Sequence, residues 1–406
     1  MRLLGVFNKD VHVTNASDFG ASFGSMIGEP FIIGSDSRYG SLPMKLAVSS
    51  GLLSSGCNVA DIGYVPAPVI ARIARQERVW GLHLSADPYP AEYVGIRIYD
   101  PSGKPWDKKI QPNGRKGVGR LGDIDLVPNY MGELVSKYDL TPLSLVVDAA
   151  NGPTGRIVPS IFRSMGMSVM EVNSSLSPLP ARKYEPSYQN TRDLEFIVRK
   201  KRSDLGIAFD GSGGKASFVI RTGHISAGRA MALLMKFGGY DRAVADYGAT
   251  SLLDLVGVVD RVPASEVALA DRLYSKGFEI GGGTMGVAFP EWSYAPDALM
   301  LSLELMAAAA RQGESIESLN SQLPDNYELS ETLKVDEVQV AMDEFERHYS
   351  SHELDLRDGV RVVTEKGWVW AKPMKGLIRL AVESESKGTA KELLDEGLKT
   401  IKHFIK

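Results

Sequence analysis

The chain has 406 residues, of which 44% are apolar, too large a share for a disordered chain and ordinary for a folded one. Lys and Arg number 46 against 50 Asp and Glu, giving a net charge of −4, a pI near 6.0 and a mean hydropathy of −0.10; this excludes a dominant basic surface for nucleic acid and an acidic tail. The length fits two to four domains, no run of about 18 apolar residues is present to span a membrane, and one cysteine, Cys57, excludes an internal disulfide or a Cys-based zinc cage.

Met1 to Asp10 lacks an apolar core followed by a small-residue cleavage site, so a cytoplasmic protein is expected. Phe31–Asp36 reads as a short buried strand ending in a turn. Ser41–Ser54 spaces Leu42, Leu46, Val48, Leu52 and Leu53 as in a helix, which Gly56 closes as a left-handed cap. Cys57 reads as a buried inert thiol before the strand Asn58–Ile62. Strands Trp80–Leu84 and Gly95–Tyr99 follow, and His83, alternating with Leu82 and Leu84, reads as a core or interface histidine. The order recurs with strand Leu143–Asp148, turn Asn151-Gly152, helix Arg156–Met165, cap Gly166 and strand Ser168–Val172. The run Arg199–Arg202 ends a helix, where cations suit the macrodipole. A looser third copy has strand Arg242–Tyr247, helix Ala264–Ser275, Gly277 and strand Phe278–Ile280.

Three strand–helix–strand units predict three similar α/β domains. The remainder reads as a smaller α+β domain: helix Leu333–Ser351, a hairpin of Gly359–Thr364 with Gly367–Lys372, strand Leu377–Glu383, and an amphipathic helix Lys387–Phe404. The expected boundaries are 1–140, 141–236, 237–330 and 331–406.

Four loops follow strands where α/β proteins place ligands. They are His83–Gly95, Asp204–Lys215, Ile280–Val287 and Trp368–Arg379. The second is glycine-rich, but Phe209 and Ala216 stand where a Walker A loop needs Gly and Ser/Thr.

At these loops, in this order and over essentially the whole chain, the sequence resembles the α-D-phosphohexomutase superfamily of phosphoglucomutase, phosphomannomutase and phosphoglucosamine mutase. Gly34-Ser-Asp-Ser-Arg38, Gly51–Gly56, Asp61–Pro68, Val146–Gly152, Pro180–Arg182, Glu185-Pro186 and Asp204–Gly211 carry the resemblance. It implies three mixed α/β domains and a smaller fourth, heart-shaped around a central cleft. It also implies a phosphoserine that passes its phosphoryl group to a hexose phosphate, and a magnesium ion held by that group and three Asp of a D-G-D-G-D-R loop. A G-E-x-S-G loop reads the sugar hydroxyls, and an R-P-S-G-T-E-P loop grips the second phosphate.

The chain departs from each of these. Asp87 stands at the phosphoserine position, with Ser85 two residues early at a family Thr position. Asp210 keeps the first metal carboxylate, Ser212 and Gly214 replace the other two, and Lys215 replaces the Arg. In the sugar loop Gly283 replaces the Glu and Met285 the hydroxyl, with Thr284 between them. The phosphate loop keeps a cation at Lys372 but is two residues short, and Lys375 follows in Met374–Leu377. An early T-S-G-[IV]-R-G stretch has only Leu4–Asn8 near it.

Asp87 reads either as a residue that takes an acyl phosphate or as a permanent, incomplete phosphoserine mimic. Lys215, Lys372 and Lys375 read either as point charges for a phosphate or as solvated loop lysines. Asp36 with Arg38 reads as an internal turn pair or, at Arg38, a ligand contact. Two expectations stand together: a non-catalytic homologue that binds sugar phosphates or serves a structural role, and an intramolecular phosphotransferase using Asp87 and Asp210. Magnesium belongs to the second and no cofactor to the first. Expected partners are a hexose phosphate or other phosphorylated small molecule, and a second copy or an intact paralogous mutase; no nucleic acid or membrane is expected.

Overall fold

The computed structural model describes residues 2–404. These residues form four sheets. The first holds β1 (Arg2–Val6), β2 (Phe31–Ser35), β3 (Val59–Tyr64), β4 (Trp80–Leu84), β5 (Tyr93–Tyr99) and β6 (Leu121–Asp123) in the order β1-β5-β4-β2-β3-β6. The second holds β7 (Ser144–Asp148), β8 (Ser168–Val172), β9 (Leu205–Phe209), β10 (Ala216–Ile220) and β11 (Gly223–Ile225) in the order β11-β10-β9-β7-β8. The third holds β12 (Arg242–Asp246), β13 (Val258–Val262), β14 (Gly281–Gly283) and β15 (Gly286–Ala288) in the order β13-β12-β14-β15.

These three sheets share one plan. A central strand (β2, β7 or β12) pairs in parallel with a neighbour on each side, and one neighbour then turns back as an antiparallel hairpin. Strands covered on both faces are continuous apolar runs, as in β2 and β9, which are buried along their whole length. The fourth sheet differs: β16 (Tyr327–Lys334), β17 (Leu354–Asp355), β18 (Val360–Thr364), β19 (Gly367–Met374) and β20 (Leu377–Ser384) pair only antiparallel, in the order β16-β20-β19-β18-β17. Three similar mixed α/β units and a smaller α+β unit are therefore the architecture.

Two local expectations are corrected. Leu333 lies in β16, and the helix expected over Leu333–Ser351 runs only from Val338 to His348. Leu329 and Leu333, four apart, fit a helical stripe as well as a strand, but all eight residues of β16 pair with β20. The strand expected at Phe278–Ile280 begins instead at Gly281, and the hairpin there is made mostly of glycine.

One apolar core, running from Ile32 to Leu323, reaches a face of each of the first three sheets, and the other face of the first sheet has its own core around Phe23, Ile33, Leu82 and Ile96. The fourth has its own, built on Phe345, Leu380, Val382 and Leu393 beneath the helices Val338–His348 and Lys387–Ile401. It meets the rest through two small clusters, Ala86, Tyr89 and Tyr93 with Leu377, and Ala264 with Trp368, Trp370 and Ala381. At Gly248 the approach is so close that an added Cβ would lie 2.2 Å from the Trp370 ring. Among the described residues, no helix is long and apolar enough to cross a membrane.

Candidate functional site

The four loops singled out in the sequence are hairpin turns. They join β4 to β5, β9 to β10, β14 to β15 and β19 to β20. A hairpin end frees side chains from the sheet while strand pairing fixes where the turn points. Turns one, three and four meet at a cavity of about 300 Å³ bordered by Asp87, Tyr89, Arg97, Thr284, Met285, Lys372 and Arg379 among others. Turn two joins through Lys215, which shares a smaller cavity with Gly283, Thr284 and Arg379.

In the first loop Asp87 is 2% exposed and precedes Pro88 across a cis peptide bond. Arg38 holds it. This fully packed guanidinium donates Nε to Asp36 at 2.9 Å, Nη1 to the carbonyls of Tyr89 (2.9 Å) and Pro90 (2.6 Å), and Nη2 to Asp87 Oδ1. Arg38 and Asp36 thus form the expected internal pair, and they also clamp the loop. Asp87 Oδ2 is buried without a hydrogen-bond partner. Burial pushes the Asp87 carboxyl above its ordinary pKa, against the pull of Arg38 and with the charge of Asp36 adding to the rise. Ser85 is fully buried at the end of β4, its hydroxyl 3.5 Å from Arg97 Nη1. His83 is buried too, with Nε2 2.8 Å from the Val65 carbonyl, and burial lowers its pKa to about 4.

In the second loop Asp210 Oδ2 accepts from Ser212 Oγ at 3.2 Å, and Oδ1 is buried and unpartnered. Burial, then the charge of Asp87, pushes its pKa up to about 7 against the pull of Arg97. The Ser212 carbonyl accepts from Ala67 N at 2.8 Å, tying this loop to the first sheet's unit. Lys215 pairs with Glu185, which also meets Arg379 at 3.3 Å. Burial opposes ionisation of Glu185, but these two cations outweigh it and hold its pKa at about 2. Gly214 is open: an added Cβ would meet nothing nearer than Ser212 Oγ at 3.6 Å.

The donor set does not fit the magnesium ion that the resemblance implies. Six-coordinate magnesium takes hard oxygen ligands. Here the loop offers one carboxylate, Asp87 is already bound to a guanidinium, and among the described residues no three His, Cys, Asp or Glu converge as a metal cage.

In the third loop Thr284 donates both its N–H (2.7 Å) and its hydroxyl (2.9 Å) to Asp246 Oδ2, so that hydroxyl is engaged inside the chain. Gly283 has φ +137°, and an added Cβ would lie 2.7 Å from the same Asp246 oxygen. In the fourth loop Lys372 contacts the Ala264 carbonyl (2.9 Å) and both Asp358 oxygens (2.7 and 2.9 Å), which takes up the three donors of an ammonium. Lys375 is exposed, with Nζ donating to the Leu4 carbonyl.

Sequence reasoning missed five residues of this site: Arg97, Glu185, Asp246, Glu266 and Arg379. Arg97 donates Nη2 to the Asp87 carbonyl at 2.8 Å and lies 3.2 Å from Glu266. Arg97 and Arg379 each interrupt an apolar, fully buried strand. A lone arginine in such a run was the available signal, since buried charges are rare unless something pairs with them.

Residues 3–113 match the family model described as phosphoglucomutase/phosphomannomutase, alpha/beta/alpha domain I, and residues 128–223 match domain II of the same family. A probable phosphoglucosamine mutase of Methanopyrus kandleri is 28% identical over 95% of this chain and 93% of its own length. The solved structure of a putative phosphomannomutase from Thermus thermophilus superposes with TM-score 0.81 at 20% identity, over 98% of this chain and 97% of that one. An Aspergillus fumigatus N-acetylphosphoglucosamine mutase, solved with GlcNAc-6P and magnesium, gives TM-score 0.54 at 12% identity over 93% of this chain and 83% of that one. The hairpin-borne loops, the three repeated sheets and these matches agree: the chain belongs to the α-D-phosphohexomutase superfamily.

Proposed function

We propose that this protein binds a phosphorylated small molecule in the cleft between its loops and lacks ordinary hexose-phosphate mutase turnover. The observation that carries this reading is the clamp on Asp87. Phosphoryl transfer relies on positioned charge around a free nucleophile and its metal. Here the nucleophile position is a carboxylate tied to Arg38, beside a loop with one remaining metal carboxylate. The setting we infer is cytoplasmic, with a second copy of the chain or an intact paralogous mutase as the macromolecular partner.

A second reading keeps catalysis: Asp87, which borders the cavity and whose buried Oδ2 is unpartnered, takes the phosphoryl group as an acyl phosphate and Asp210 serves as the acid. Glucose 1-phosphate and mannose 1-phosphate, each with magnesium and a trace of hexose 1,6-bisphosphate, separate the two. The first reading expects no 6-phosphate. Turnover in the usual range of about 1–10³ per second that vanishes in Asp87→Ala establishes the second.

A further inference from the structure

We propose that the cavity takes a ligand with one anionic head and an apolar, single-ring body rather than a polyol. This rests on the reading that the cleft binds a phosphorylated small molecule, and it names the class.

A cavity of about 300 Å³ is at the small end of ligand pockets, which suits one ring and one head group better than a nucleotide. The wall on the side of the third loop is apolar, with Leu4, Ile98, Trp106, Val267, Met285 and Met374, while Asp107, Ser265 and Glu266 lie elsewhere on the lining. The third loop, which faces this wall, offers no free polar reader of a sugar. Met285 has no hydroxyl, the Thr284 hydroxyl is engaged by Asp246, and Gly283 has no room for a side chain. A ring hydroxyl brought against the third-loop side gives up water without a replacement partner, whereas an apolar ring there gains by leaving water.

Charge places the head. Glu185 is one carboxylate shared by two cations, Lys215 and Arg379, and the buried carboxylate of Asp246 also faces both. Arg379 borders the cavity, is 6% exposed, and leaves its buried Nε without a hydrogen-bond partner. Asp36, Arg38 and Asp87 carry a formal surplus of one negative charge. Arg97 is offset by Glu266, and Lys372 is saturated. An anion therefore finds its unpartnered donor at Arg379 and is repelled from Asp87.

Calorimetric titration of the full chain with phenyl phosphate, glucose 1-phosphate, phenol and inorganic phosphate, without metal, tests this. Phenyl phosphate is expected to bind at least about tenfold more tightly than any of the other three. Met285→Ser should weaken phenyl phosphate several-fold and leave inorganic phosphate unchanged. Arg379→Gln, used where circular dichroism shows it folded, should abolish the preference for phenyl phosphate over phenol. Glucose 1-phosphate binding as well as phenyl phosphate overturns this inference and leaves the proposed function standing. Phenol binding as well as phenyl phosphate overturns the anionic head. No binding by either phosphate ester overturns both readings.

Discussion

Arg38 carries more of the first loop than any other side chain, because it bonds to both Asp36 and Asp87 and to two loop carbonyls besides. Removing one partner of a buried ion pair costs about 3–5 kcal/mol, since the remaining charge is stranded. Arg38→Met should lower the urea-unfolding free energy by about that much, and Arg38→Lys should recover little, because an ammonium cannot reproduce the fork. Asp210 adds a pH dependence of known sign. Its folded pKa of about 7 lies above the ordinary 3.8, so its contribution is full below about pH 4 and is lost as pH rises through 7. The wild type should therefore lose stability relative to Asp210→Asn between about pH 4 and 7, read from urea midpoints at each pH. His83 acts oppositely: with a folded pKa near 4 against 6.5, its contribution is present above pH 6.5 and fades as pH falls toward 4. Loop identities were legible residue by residue in the sequence. The partners that neutralise those loops were not, because Arg38–Asp87 and Lys215–Glu185 join residues 49 and 30 positions apart.

Each central strand of the three repeated units delivers an aspartate at its carboxyl end. Asp36, Asp148 and Asp246 each accept the backbone N–H two residues on, at 3.1, 3.0 and 3.0 Å. The free side of each carboxylate then holds a different group: Arg38, Arg182 and Thr284. Such turns fold the chain back at the strand end using a short local side chain. The first two strands and their aspartates stand out in the sequence as compact apolar runs. The third is as clear as a strand, but its parallel neighbour β14, which opens the hairpin, is a glycine run with no apolar periodicity to read. The packing of the fourth sheet on this frame is equally specific. Gly248→Ala forces a methyl into the Trp370 ring and should cost about 1–3 kcal/mol by overpacking. Pairing it with Trp370→Phe should return part of that loss, a coupling that chemical denaturation of the two single variants and the double variant would reveal.

The core of the fourth sheet is set apart from those of the other three. One apolar cluster reaches sheets one to three, the first sheet has a second cluster on its other face, and the fourth sheet's core touches the others through small contacts. Hydrogen exchange at low denaturant should find amides of β18, β19 and β20 opening at a lower free energy than those of β7 and β9. A single shared opening energy would show that the small contacts couple the units fully. Gly214 and Gly283 set the direction in which such a chain can change. Gly214 has ordinary space around it, so Ser212→Asp with Gly214→Asp should fold and acquire measurable magnesium binding by calorimetry. Gly283 does not: a side chain there meets both an unfavourable φ and the carboxylate of Asp246. The second loop is thus open to a side chain at Gly214, whereas the third loop acts as a ratchet, closed to a side chain at Gly283 until Asp246 and its turn are rebuilt as well.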